Sequence, residues 1–152
     1  MKKRTSLAVF YVCMLFLMLP TAAFATSGGA QGTPLEINLE NGSVIIGQDT
    51  YTQGTEEAKP IPEGGLVFTG QSDTNTITVD PGEDAIAAFT LKNMNLSTVA
   101  GASLIDIQSG SASIALEGIN TLTGGIGDDD HALIHVGEGE AITLSGEGSL
   151  VL

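Results

Sequence analysis

Apolar and polar residues alternate in short stretches that return at a long, nearly fixed interval. Ile77-Thr78-Val79, Ile105-Asp106-Ile107 and Ile134-His135-Val136 repeat one phrase, with starts 28 and 29 residues apart. A second alternating stretch follows each of them: Phe89-Thr90-Leu91, Ile114-Ala115-Leu116 and Ile142-Thr143-Leu144, with starts 25 and 28 residues apart. Turns rich in Gly, Ser, Asp and Glu separate the stretches. Period-two alternation predicts strands with one buried face. Its recurrence every 25–29 residues predicts an all-β solenoid whose coils stack on a shared core. Val79, Ile107 and Val136 are expected to form one inward row, and Leu91, Leu116 and Leu144 another. A one-residue slip would turn a whole row outward, so the pattern specifies register strongly. A β-sandwich is the competing architecture, because alternation alone does not separate the two. The near-constant repeat favours the solenoid.

Upstream, Leu35-Glu36-Ile37-Asn38-Leu39 alternates strictly and predicts a strand. Asn41-Gly42 signals a turn, and Val44-Ile45-Ile46 opens a second strand. Residues 47–64 are polar, with Gly, Pro and an acidic pair, and read as a loop. Asp84-Ala85-Ile86-Ala87-Ala88-Phe89 tempts a helix assignment, but its place in the repeat predicts strand. Residues 26–34 read as a flexible linker, and residues 35–152 as the repeat domain.

The first 25 residues have a different character. Lys2-Lys3-Arg4 precede an apolar run over residues 7–19, and Ala23-Phe24-Ala25 follows as a small-x-small cleavage pattern. This predicts a secretory signal peptide. As a helix the run would span roughly 20 Å, short of a hydrocarbon core of about 30 Å. Stable membrane insertion after cleavage is therefore not expected. Cys13 is the one cysteine and lies inside the run, so neither a disulfide nor a lipidated cleavage site is expected. Removing the signal leaves Lys59 and Lys92 against all 18 acidic residues. Such a surface repels nucleic acid and anionic membranes and attracts divalent cations.

The phrases Thr50-Tyr51-Thr52-Gln53-Gly54, Val67-Phe68-Thr69-Gly70, Asn75-Thr76-Ile77-Thr78-Val79 and the run from Ala141 to Leu150 resemble those of a bacterial family. The family comprises secreted right-handed parallel β-helix domains of the polysaccharide-lyase type that bind carbohydrate. The likeness covers most of residues 35–152. It implies a secreted protein that binds acidic polysaccharide and calcium. Members of the family are longer, and this chain stops in mid-strand at Val151-Leu152, which reads as a β-helix incomplete at that end.

Candidate chemistry is sparse. Gly124-Gly125-Ile126-Gly127-Asp128-Asp129-Asp130 fits the first six positions of the nonapeptide G-G-x-G-x-D, and Asp128, Asp129 and Asp130 supply hard oxygen ligands suited to calcium. His131 stands where an apolar residue belongs and no tandem copy follows, so a solvated acidic turn competes with the metal site. Asp80, Glu83 and Asp84 occupy what reads as the corresponding turn of an earlier coil, and Glu138 and Glu140 that of the last; stacking would bring carboxylates together. In a strand reading His131 and His135 would share one side about 13 Å apart, too far to share an ion. Phe68 and Phe89 sit in apolar phase and belong to the core. Tyr51, in the polar loop, is the candidate platform for stacking against a sugar.

Catalysis is not expected: lyases of this resemblance use a basic residue for proton abstraction, and only two lysines remain. The leading expectation is a secreted, non-catalytic carbohydrate-binding β-helix taking polysaccharide, with an acidic glycan bridged by calcium. The alternatives are a structural or adhesive solenoid of the cell surface that associates end to end, and, more weakly, a polysaccharide lyase.

Overall fold

The computed structural model describes residues 32–98, 101–124 and 132–152. Strands take up 54% of it, and its helical content is a 3-10 turn at Leu39–Asn41, so the fold is all-β. A first partial coil consists of β1 (Leu35–Asn38), the 3-10 turn and β2 (Val44–Ile46). A hairpin follows, β3 (Thr50–Gln53) with β4 (Lys59–Pro60). The next coils are β5 (Leu66–Thr69), β6 (Gln71–Ser72) and β7 (Ile77–Val79), then β8 (Ile86–Lys92), β9 (Asn95–Thr98) and β10 (Ile105–Ile107). After them come β11 (Ser111–Glu117), β12 (Ile119–Gly124) and β13 (Ile134–Val136), and finally β14 (Ala141–Gly146) and β15 (Ser149–Val151).

Equivalent strands of successive coils pair in parallel and build three sheets. The first is β1-β5-β8-β11-β14, and the third is β6-β9-β12-β15. The second runs β2-β7-β10-β13 and is extended beyond β2 by the antiparallel hairpin β3-β4. Parallel neighbours need a long crossover, and here the remainder of each coil provides it. The result is a β-solenoid of about four turns. The sandwich alternative is thereby excluded.

Inward side chains stack coil upon coil. In the second sheet Val44, Ile77, Ile105 and Ile134 form one row, and Ile46, Val79, Ile107 and Val136 the next. The latter contains the expected row. In the first sheet Leu91 stacks on Leu116 as expected, but Leu144 aligns with Ile114, two residues from its expected place, and Gly146 takes the position beside Leu116. A shift of two keeps the same face inward, which is why the apolar pattern could not detect it. Phe68 and Phe89 are both buried and meet edge to face, 5.3 Å between centroids at 81°.

Two further expectations are corrected. After the first coil, which has the 3-10 turn in this place, the coils hold a third strand (β6, β9, β12 and β15) where a turn was expected, because the outward residues of these strands are mostly polar. Residues 47–64 contain the hairpin instead of an open loop. It covers the edge of β2, an arrangement that satisfies backbone groups otherwise left unpaired.

The third sheet carries one buried polar side chain. Asn120 lies in an inward position between Met94 and Leu150 and is fully buried. Its Oδ1 accepts from the Met94 amide at 3.0 Å, and its Nδ2 donates to the carbonyls of Glu117 and Ser149 at 3.2 and 3.3 Å. One amide thus links three consecutive coils, and among the described residues no buried side-chain N or O atom lacks a hydrogen-bond partner.

Candidate functional site

A solenoid core is closed to ligands, so recognition falls to outward side chains and corners. The residues singled out from sequence separate when placed on this frame. Asp128, Asp129 and Asp130 lie outside the described residues. Residues 80–84 connect β7 to β8 and join the second sheet to the first, as do residues 137–140 between β13 and β14. The two described acidic turns therefore occupy the same corner of the coil, between the second and first sheets.

The two acidic turns at the shared corner are kept apart. Gln108-Ser109-Gly110, the turn of the intervening coil, lies between them and carries no carboxylate. Two strand spacings, about 10 Å, separate equivalent positions. Ser109 instead engages the earlier turn: its hydroxyl donates to Asp80 and accepts from the Gly82 amide at 2.9 Å. No group of three His, Cys, Asp or Glu side chains among the described residues is placed to hold a metal ion.

Tyr51 is in β3, 7% exposed, and pairs across the ladder with Ile46. Its ring belongs to the core and is not available for stacking on a sugar. The polar letters around it misled the sequence reading, since they belong to the outward residues of an edge hairpin. His135 is outward on β13, as its phase predicted. Its Nδ1 lies 2.7 Å from Asp106 Oδ1 on the neighbouring coil. A carboxylate only accepts, so Nδ1 carries the proton and donates. Gln108 Nε2 donates to the other Asp106 oxygen at 2.7 Å. Partial burial opposes the charge of Asp106, but the hydrogen bonds from Gln108 and His135 and the charge of His135 together hold its carboxyl below the usual carboxylate range.

Sequence reasoning missed a concave surface built from polar side chains of the third sheet. A groove of about 420 Å³ lies on the outer face of the third sheet, lined by Glu40, Gln71, Ser72, Asp73, Asn95 and Ser97. Gln71 and Asn95 are register partners, and Thr121 continues their row one coil further on. Ser97 and Thr123 form a second outward row two residues along the strands. Leu96 and Leu122 alternate with them and point into the core, which fixes the outer residues in place. Glu40 reaches the groove from the 3-10 turn, whose start is capped by Asn38: its Oδ1 accepts from the Glu40 amide at 2.9 Å. Asn75 ties the same turn to the next coil, donating from Nδ2 to the Leu39 carbonyl at 2.7 Å. The signal that could have found this surface is the polar-apolar-polar phrase Asn95-Leu96-Ser97 with its echo Thr121-Leu122-Thr123.

Two other concavities are chemically plainer. One, of about 340 Å³, overlies the small residues Ala88, Ser113, Ala115 and Ser145 of the first sheet. The other, of about 560 Å³, lies along the glycine corners at Gly118 and Gly146.

Comparison of the chain with protein-family models, with curated proteins and with solved structures found no match. The functional reading therefore rests on the chain's own fold and surface.

Proposed function

We propose that the protein is a secreted, non-catalytic carbohydrate-binding β-helix. The observation that carries this reading is the third-sheet groove, in which carboxylate, amide and hydroxyl side chains converge on a rigid, core-backed surface. Sugars present adjacent hydroxyls that both donate and accept, and this mixture of side chains complements them. Secretion is supported by the sequence pattern of residues 1–25.

The described cations do not favour lyase chemistry. Lys59 is bound to Glu56 at 2.6 Å, and Lys92 lies 3.9 Å from Glu117. Neither lines the groove. A calcium-bridged acidic polysaccharide would draw on Asp128, Asp129 and Asp130, since the described carboxylates do not cluster in threes.

A glycan microarray probed with the purified protein, whose folding is verified by circular dichroism, tests the proposal. Selective retention of polysaccharide without release of unsaturated products is the expected result. A folded protein that retains none would end this reading and leave the structural or adhesive solenoid.

A further inference from the structure

Resting on the carbohydrate reading, we infer that the third-sheet groove takes a neutral, unbranched glycan chain lying along the solenoid axis. Three observations lead there. The groove is lined by two carboxylates, two amides and two hydroxyls, without a lysine or arginine. A uronate or sulfated chain would set its charges against Glu40 and Asp73 with no cation to offset them, on a protein whose formal net charge is already −13. Neutral hydroxyls meet no such repulsion and donate readily to both carboxylates.

The direction of the chain follows from register. Gln71, Asn95 and Thr121 repeat along the axis at the interstrand spacing of about 4.8 Å. That step is close to the length of one sugar unit in an extended glycan. A chain laid across the strands meets one equivalent side chain per coil, with Glu40 at the near end and Asp73 on the rim. A chain laid along the strands would cross only β9 or its short neighbour β6 and leave the amide row unused. The groove contains no aromatic residue, so affinity comes from hydrogen bonds shared over several sugars and grows with chain length.

The test is isothermal titration of the full protein with neutral β-glucan oligosaccharides of two to six units. Polygalacturonate, with and without calcium, is titrated in parallel. Gln71→Ala and Asn95→Ala are exposed substitutions outside the core, and Ser113→Ala on the first sheet serves as control. The expected result is neutral-glycan binding that strengthens with length, is indifferent to EDTA, weakens at least tenfold in the Gln71→Ala/Asn95→Ala protein and is unchanged in Ser113→Ala. Neutral-glycan binding that survives the double substitution would overturn the groove while sparing the carbohydrate reading. Binding of polygalacturonate alone, lost with EDTA, would do the same. Failure of every glycan to bind a folded protein would remove both.

Discussion

At the scale of single residues, stability concentrates where one side chain serves several coils. Replacing Asn120 with Ala leaves the Met94 amide without its acceptor inside the core, which costs about 1–3 kcal/mol. Asn120→Asp should be worse at neutral pH, because a buried carboxylate would face the carbonyls of Glu117 and Ser149. Urea unfolding at pH 7 and pH 4 checks both. The Asp variant should recover stability at the lower pH, where a protonated carboxyl can again donate. Equal losses at both pH values would mean that the site relaxes and admits water.

Glycine corners offer a second residue-scale comparison. Gly118 has φ +65°, and a Cβ there would collide with the Asn93 amide of the preceding coil. Gly139 has φ +88° with open space around it. Both Ala variants carry backbone strain of about 1–3 kcal/mol, but only Gly118→Ala adds the collision. Its Tm should fall distinctly further. Equal shifts would show that Asn93 moves aside.

The Asp106 carboxyl gives a pH dependence with a definite sign. Its pKa in the folded protein lies below the ordinary value of about 3.9. It therefore contributes stability that is present above that ordinary value and is lost as pH falls through the folded one. Asp106→Asn should be less stable than the parent at pH 6, with the gap closing in strong acid. A gap constant from pH 6 to pH 2 would contradict the ionic origin. The effect is modest, since His135 is exposed and solvent screens the pair.

At the scale of elements, legibility depended on which face a strand buries. The phrases at Ile77, Ile105 and Ile134 became β7, β10 and β13 in the expected register, because their apolar residues point into the core between polar neighbours. The third-sheet strands were illegible for the opposite reason. Met94-Asn95-Leu96 and Asn120-Thr121-Leu122 are short, one carries a buried amide at an inward position, and they follow tight corners through Asn93 and Gly118 at positive φ. The candidate groove was hidden with them. Its residues come from β6 and the bend after it, β9 and the 3-10 turn, and only stacking brings them together. Tyr51 failed as a platform because an edge hairpin mixes polar outward residues with one inward ring. Tyr51→Ala should therefore cost about 3–5 kcal/mol, as removal of a buried aromatic does, and leave glycan affinity unchanged in protein that remains folded. Loss of affinity with stability intact would restore the ring to a surface role.

At the scale of the whole molecule, the solenoid couples each coil mainly to its two neighbours, so no distant contact offsets unfavourable charge along the outer surface. The chain carries 18 acidic side chains against five basic ones. Among the described residues the acids are spread over corners and outer faces, not gathered at a metal site. Their repulsion is long-range at low ionic strength, where the Debye length is about 30 Å at 0.01 M, and short-range near 1 M, where it is about 3 Å. Folding holds these charges closer together than the unfolded chain does, so screening favours the folded state. Thermal unfolding should therefore shift upward by several degrees between 10 mM and 500 mM NaCl. Replacing NaCl with KCl at equal ionic strength should give the same curve, since screening does not distinguish the two cations. A rise produced by low-millimolar calcium, beyond that from magnesium at the same concentration, would instead report a specific site, and the segment containing Asp128, Asp129 and Asp130 would be the first to substitute. Insensitivity to NaCl would show that the acids are far enough apart on the coils for water alone to screen them.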